Sequence, residues 1–559
     1  MNKILKIFTK DFGNINQAAI LLGFFTLLSQ ILALFRDRAI AHFVGPGANL
    51  DAYYAAFRIP DLIFISIASL ASITVLIPFI VAKMKGEEVT TEARKFINDV
   101  FTTFFLAIVL VSLIAFLLMP FLVQIIAPGF SVSMQEKVIL LSRIMLLSPI
   151  LMGLSNLFGT ITQLFRRFFL YSLSPLFYNL GIIFGIIFLY PIFGIFGMAF
   201  GVVLGASMHF LIQLISSSYC GFTLKFSNSI NWNEIKDVVI ISLPRTLGLA
   251  FNSIALIAII ALASFLKTGS ISVFNFSFNL QSVPLNIIGI SYAVAAFPTL
   301  AKSFSLGKKD IFKIQLKSAA RQIIFWSLPI TFLFIVLRAQ IVRVILGSGS
   351  FSWDNTRLVA ASLAIFSVSI LAQGMTALLS RAYYAAGNTR RPLSVNLLSS
   401  IFIIILSYLL IHIFNNFIFF RYFIESLLKV TDIEGTAVLM LPLAYSIGTI
   451  LNFILQWIFI KKDFMVNEPF IAKTFFQSLG ASFVIGFVTY LSLNALSPIF
   501  GTTTFFGVFL QGFISGILGI FAGVVLLYLL KNEELLDLIK AFRTKFWRAK
   551  VIVPSQEEL

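Results

Sequence analysis

Residues 175–180 read Pro-Leu-Phe-Tyr-Asn-Leu, and residues 392–397 read Pro-Leu-Ser-Val-Asn-Leu. The copies lie 217 residues apart, and each follows a short basic turn (Arg166-Arg167, then Arg390-Arg391) and opens a long apolar run. A repeat placed at the head of two apolar runs points to a duplicated bundle of membrane helices. Composition agrees. Of 559 residues, 59% are hydrophobic and 11% charged, with mean hydropathy +0.98, whereas soluble domains carry about a quarter charged residues. A large soluble catalytic domain is excluded.

Outward from the repeat, fourteen apolar runs of about 18 to 25 residues qualify as transmembrane helices, the first centred near residue 28 and the last near residue 517. Pro149, Pro244, Pro284, Pro298 and Pro442 fall inside such runs, which a bilayer tolerates where neighbours satisfy the freed backbone groups and which often marks a cavity in transporters. The two copies open the fifth and eleventh spans. Six spans per half is an even number, so the halves enter the membrane in the same direction and are related by an axis along its normal. A second echo joins the run Gly47–Pro60–Pro78 to the run Gly269–Pro284–Pro298. The expected architecture is an all-α polytopic membrane protein: an N-lobe of six spans (1–222), a C-lobe of six (223–465), two further helices (466–531) and a cytoplasmic amphipathic tail (532–559).

With the N-terminus inside, the cytoplasmic segments hold 28 basic residues and the opposite loops 7. That bias places both termini in the cytoplasm and accounts for the net charge of +18 without nucleic acid as a partner. Lys3, Lys6 and Lys10 lead into a stretch too long for a signal peptide. One cysteine, Cys220, and three histidines (His42, His209, His412) build neither a disulfide framework nor a metal cluster. No catalytic or nucleotide-binding motif is present, so neither an enzyme nor a bound cofactor is expected. His209 and His412 sit on apolar helices and read as structural. Within Glu533–Trp547, Leu535, Leu538, Ile539, Phe542 and Phe546 share a face, the pattern of an interfacial helix on anionic lipid; the segment from Phe417 to Lys429 is similar.

Six arginines fall in or at the ends of spans: Arg36, Arg38, Arg58, Arg143, Arg245 and Arg381. The acids at comparable depth are Asp37, Asp51 and Asp61. An ionisable group inside the membrane is a functional-site hypothesis by default. At about 100° per residue, Ser29 and Arg36 share one face of the first helix, while Gln30 and Asp37 share the adjacent one. Consecutive helical residues diverge, so Arg36 and Asp37 are expected to find separate partners. Arg36 is assigned to a cavity; Arg38 reads rather as an interfacial anchor, and Arg245, just after Pro244, equally as a cavity cation or as an anchor at a helix end. Asp51 follows the Gly45-Pro46-Gly47 turn and has the plainer reading of a cap for the second span. Arg58 and Asp61 flank Pro60 and are expected to form a structural ion pair.

These features together resemble the MurJ (MviN) family of lipid II flippases, a branch of the multidrug/oligosaccharidyl-lipid/polysaccharide exporter superfamily. The stretches that carry the resemblance are FRDRAIAHFVGPGANLDAYYAAFRIPDL from Phe35, IAPGF from Ile126, LPRTLG from Leu243, FPTLAKSF from Phe297, GSGSF from Gly347 and RAYYAAGNTRRPL from Arg381. The first and last are specific to the family. The resemblance implies a bacterial inner (cytoplasmic) membrane protein of the exporter fold, with alternating access that turns a lipid-linked disaccharide-pentapeptide from the inner to the outer leaflet. It implies a polyprenyl-pyrophosphate-linked glycan and membrane lipids as partners, along with proteins of cell-wall synthesis, and a groove for the lipid tail beyond residue 470. Arg36, Asp37, Asp51 and Arg245 match positions that the family retains, with Arg36 expected to meet the pyrophosphate. Three positions depart. Ser29-Gln30 stands where the family usually has Ser-Arg, Phe64-Ile65 where it usually has two arginines, and Asn279 near its eighth-helix arginine. The substrate-binding set implied is therefore Arg36, Arg245, Asp37, Asp51, Gln30, Ser29 and Asn279.

Three rival functions remain at this stage. A flippase for another polyprenyl-linked oligosaccharide would share every feature above. A cation-coupled multidrug exporter is expected to need buried carboxylates, and no acid lies centrally in the third to fourteenth spans. A non-transporting envelope scaffold would keep the fold and lack a working cavity.

Overall fold

A computed structural model describes residues 15–68, 76, 79–80, 82–84, 90–165, 167–219, 225–464, 469–501 and 504–547. The basic residues Lys3, Lys6 and Lys10 lie outside them, as does Pro78. Among the described residues the regular secondary structure is all helical, with no strand.

The helices, in chain order, are α1 (Ile15–Phe43), α2 (Ala48–Ala56), α3 (Arg58–Ile63), α4 (Thr91–Ile126), α5 (Val132–Leu164), α6 (Phe169–Phe193), α7 (Ile195–Ser218), α8 (Trp232–Ala263), α9 (Ser270–Ser305), α10 (Lys309–Val336), α11 (Arg338–Leu346), α12 (Trp353–Ser367), α13 (Ile370–Ala385), α14 (Arg390–Asn416), α15 (Ile418–Leu428), α16 (Thr436–Phe464), α17 (Ile471–Phe500), α18 (Phe505–Leu529) and α19 (Glu533–Trp547). Among the described residues eleven are long and apolar enough to cross a membrane, and twelve when α12 and α13 count as one bent span. These match the third to fourteenth expected spans in position. The first falls on α1, and the second runs through α2, α3 and residues partly outside the described set.

The two proline-centred runs adopt the same local form. Gly47 and Gly269 precede α2 and α9, and after Pro60 and Pro284 the helix widens into a π-turn, over Phe64–Ala68 and Leu285–Ile290. A proline deprives the ladder of one N–H donor. A widened turn is one of the ways a helix accommodates such a break.

The chain forms two compact units. The first comprises residues 1–283, 342–366 and 387–455. In it α6 and α7 pack backbone to backbone: a Cβ added at Gly181 would stand 2.3 Å from the Cα of Gly205, and one at Gly185 2.4 Å from the Cα of Gly201. Small residues at four-residue spacing permit this approach in lipid, where dispersion rather than water exclusion drives association. An apolar core of Phe96, Val100, Phe104, Leu157, Ile161 and Val238 joins α4, α5 and α8.

The second unit comprises residues 284–341, 367–386 and 456–559. There α17 and α18 meet through Gly519 and Gly523, whose absent side chains admit Thr489 and Ile485. Leu535 of α19 is 4% exposed and packs with Phe325, Ala481 and Leu527. Glu533 and Glu534 pair with Arg321, and Thr474 donates to Glu534 at 2.8 Å. The tail helix thus differs from the expected lipid-lying form at its start. Leu535 is buried in protein because two acids in the first turn of α19 clasp a cation of α10. Side chains from Ala541 onward, including Phe542 and Phe546, lie outside the described residues.

Candidate substrate-binding site

Within the first unit, α1 carries the charges expected to meet an anion. A glycine turn packs against its C-terminal end. Gly349, at φ 59°, leaves room for the α1 terminus, since a Cβ there would stand 2.3 Å from the His42 carbonyl oxygen, and Ser350 N donates to that same oxygen at 3.0 Å. Arg38 donates to the carbonyls of Val344 and Ile345 at 2.6 and 3.3 Å. It therefore closes the last turn of α11, where a cation suits the helix dipole.

Arg36 does something the sequence reading excluded. Its Nε and Nη2 both donate to Asp37 Oδ1, at 3.0 and 2.8 Å. The two Cα–Cβ vectors diverge, but the arginine side chain is long enough to fold back over its neighbour. Nη1 donates to Asn179 Oδ1 at 3.1 Å, and Asn179 Nδ2 approaches Ser29 Oγ at 3.5 Å. On the other side, Asn279 Nδ2 donates to Asp37 Oδ2 at 3.2 Å. The result is one chain of polar contacts, Ser29–Asn179–Arg36–Asp37–Asn279, linking α1, α6 and α9. Four of its members were in the set expected from the sequence. Asn179 was not.

The helix α9 meets the charges of α1 to α3 with a stripe of neutral residues. Ser272, Asn275 and Asn279 are spaced i, i+3, i+7 and so share a face. Asp51 accepts from Gly269 N at 2.6 Å, Ser272 N at 2.8 Å and Ser272 Oγ at 2.6 Å. Asp51 is thus a cap, but of α9 rather than of its own span, and the N-cap position of α2 is held by Gly47 without a side-chain bond. Arg58 Nη2 donates to Asn275 Oδ1 at 2.6 Å. Arg58 thus takes a neutral hydrogen-bond partner on α9 while its charge stays within electrostatic reach of Asp61, three residues on. Asn279 then completes the stripe at Asp37.

The remaining expected residues are dispersed. Gln30 is half-buried and is not bonded into this network. Arg245 lies on α8, and its side chain is outside the described residues. Phe64 and Ile65, at the positions of the missing arginines, open the π-turn after α3. Arg381 donates to the Ala377 carbonyl one turn earlier on α13. Arg143 donates to the Phe116 carbonyl and covers the Phe116 ring.

The burial pattern decides which end of the ion pair is open. The side chain of Asp37 is 4% exposed and that of Arg36 22%. A buried charge is tolerated when paired and hydrogen-bonded, and Asp37 has both Arg36 and Asn279. The accessible group is therefore cationic, and it has a neutral partner, Asn179, besides its carboxylate. Among the described residues no group of three or more His, Cys, Asp and Glu side chains is arranged to hold a metal ion.

The model of the family described as lipid II flippase MurJ matches residues 40–510. The chain belongs to the MurJ family. Relatives include a probable lipid II flippase MurJ of Buchnera aphidicola (subspecies Acyrthosiphon pisum), 28% identical over 69% of this chain and 76% of the relative. Another is that of Treponema pallidum, 23% identical over 90% of this chain and 91% of the relative. A solved MurJ, described as the inward closed conformation, superposes with a TM-score of 0.72 at 22% identity, covering 93% of this chain and all of that one. An inward-facing multidrug resistance MATE transporter superposes at 0.63 with 14% identity, over 78% of this chain and 94% of that chain. Both share the fold, and the MurJ-family chain described here is a multi-pass membrane protein of that architecture.

Proposed function

We propose that the chain carries lipid II, the substrate in the name of its family, from the inner to the outer leaflet by alternating access, with both termini in the cytoplasm and without enzymatic chemistry of its own. The observation that carries the reading is the Ser29–Asn179–Arg36–Asp37–Asn279 chain with its partly exposed cation, Arg36. A pyrophosphate takes the Arg36 guanidinium through charge-assisted, bidentate hydrogen bonds. Asp37 loses that partner and keeps Asn279, so the carboxylate is never left without a donor. Asn179 follows the guanidinium or returns to Ser29. Release in the other leaflet restores the Arg36–Asp37 pair, and this competition keeps the substrate from binding too tightly to leave. The energy of the outward step is drawn from the membrane potential acting on the substrate's charge.

The test is complementation of a strain depleted of its own lipid II flippase, with wild type and Arg36→Ala compared at equal membrane levels. Rescue by wild type and failure of a well-inserted Arg36→Ala are the expected results. Rescue by both removes Arg36 from the site, whereas failure of both moves the substrate toward another polyprenyl-linked glycan. Arg36→Lys is expected to rescue weakly, because an ammonium keeps the charge and loses the fork geometry.

A further inference from the structure

Apart from the Arg36 network, the first unit buries a second polar seam, in α5, α6 and α7. His209 of α7 is buried, and its Nδ1 lies 2.6 Å from Ser155 Oγ on α5. One turn on, Gln213 Nε2 donates to Ser174 Oγ at 2.7 Å. Gln213 and Tyr171 meet over Gly159, where a Cβ would stand 3.3 Å from the Tyr171 ring and 3.8 Å from the Gln213 amide carbon. Ser216 follows on the same face, since 209, 213 and 216 are spaced i, i+4, i+7. The turn from α5 into α6 then carries Gln163 and Arg167.

Four atoms along this course are buried with no hydrogen-bond partner among the described residues: Gln213 Oε1, Ser216 Oγ, and Nε and Nη1 of Arg167. Proteins rarely leave such groups unmatched, and the usual remedy is buried water. The mixture of groups selects the occupant. Gln213 Oε1 needs a donor and the Arg167 N–H groups need acceptors, and water supplies both. The elements packed on α7 bring Tyr171, Tyr178 and Tyr190 on α6, Glu136, Lys137 and Arg143 on α5, and Asp51, Tyr53 and Tyr54 on α2 as their titratable groups. None of them is bonded to the imidazole, whose side-chain partner among the described residues is Ser155.

We propose that this seam is a hydrated track carrying protons between the α5–α6 turn and His209, which makes His209 a protonation site of the transporter separate from the Arg36 network. A chain of water and side-chain groups that each donate and accept can pass a proton by successive hydrogen-bond exchange. Ser155 then orients the ring that receives it.

The chain has three histidines, His42, His209 and His412, so isotope-labelled histidine in the full-length protein in lipid nanodiscs gives three assignable ring signals. The measurement is deuterium exchange of the His209 ring N–H. Exchange in the wild type is expected to be faster by about tenfold or more than in Gln213→Leu, which fills the track with an apolar side chain. Unchanged His42 and His412 signals show that the variant is folded, and Ser216→Val serves where it is not. Wild-type exchange as slow as in the variants, or variant exchange as fast as in wild type, overturns the proposal. Neither readout depends on which glycan is transported.

Discussion

Asp51 illustrates how a single buried carboxylate is accounted for by its acceptor count. Two backbone N–H groups and one hydroxyl converge on it, and hydrogen bonds to a charged group contribute about 1.5–3 kcal/mol each, with unsatisfied partners costing more. Asp51→Ala is therefore expected to destabilise the protein by about 2–4 kcal/mol, read as a lower unfolding temperature in detergent, while Asp51→Asn loses less. A variant that melts like wild type but fails to transport would instead assign Asp51 to the substrate. At this scale the sequence was legible in part. The depth of Arg36, Asp37 and Asp51 follows from the hydropathy pattern, but their partners do not. Asn179, Asn275 and Ser272 are neutral and gave no charge signal. Asn179 was in plain view as the fifth residue of the repeat, read there as a marker of topology. Its counterpart Asn396 also bonds across helices, accepting from Asn452 at 2.9 Å, which is a physical reason for that position to carry asparagine in both copies.

Among the elements, α6 and α7 are held by contact of backbone with backbone. Gly185→Val puts methyl groups where a Cβ alone would already stand 2.4 Å from the Gly201 Cα, and neither backbone can yield without opening the pair. Overpacking of this kind costs about 1–3 kcal/mol or more, so the variant is expected at reduced membrane level and with a lower unfolding temperature. Gly480 on α17 has nothing within 4 Å of its Cβ position. Gly480→Ala is expected to be neutral or to stabilise by up to about 1 kcal/mol through helix propensity. Equal loss in both variants would mean that helix contact is not what the glycines serve. Positions of spans were readable because each is a long apolar run. The start of α19 was misread because amphipathicity tells which side is apolar and not whether lipid or protein covers it. Only the pairing of Glu533 and Glu534 with Arg321 separates the two.

For the whole molecule, the first unit ties down the loop before α16 with ion pairs. Arg357 forks onto both oxygens of Asp432, and Lys267 donates to Glu434 at 2.7 Å. The hydrogen bonds from Arg357 and Lys267 hold these two carboxyls below their usual values of 3.8 and 4.5. For a carboxylate whose folded value is lowered, the contribution to stability is complete above the unfolded value and disappears as pH falls through the folded one. The segment around residues 429–435 is thus expected to keep its protection from hydrogen exchange from neutrality down to the ordinary carboxylate range and to lose it only below. Loss of protection already near pH 6 would show that these pairs do not hold the loop. Composition and the basic bias of the loops made the class of molecule legible at this scale. The division into two compact units was not, since a contact map between spans leaves no trace in hydropathy.

The fold-back of Arg36 onto Asp37 also has an electrical meaning. The resting pair is a dipole with no net charge, and swinging the guanidinium from carboxylate to phosphate moves one charge by roughly 3 Å in a hydrocarbon layer about 30 Å thick. One charge crossing the full layer is worth about 2.3 kcal/mol per 100 mV, so a tenth of that path is worth roughly 0.2 kcal/mol. The binding step is close to silent to voltage. In the proposed cycle, almost all of the current belongs to the passenger.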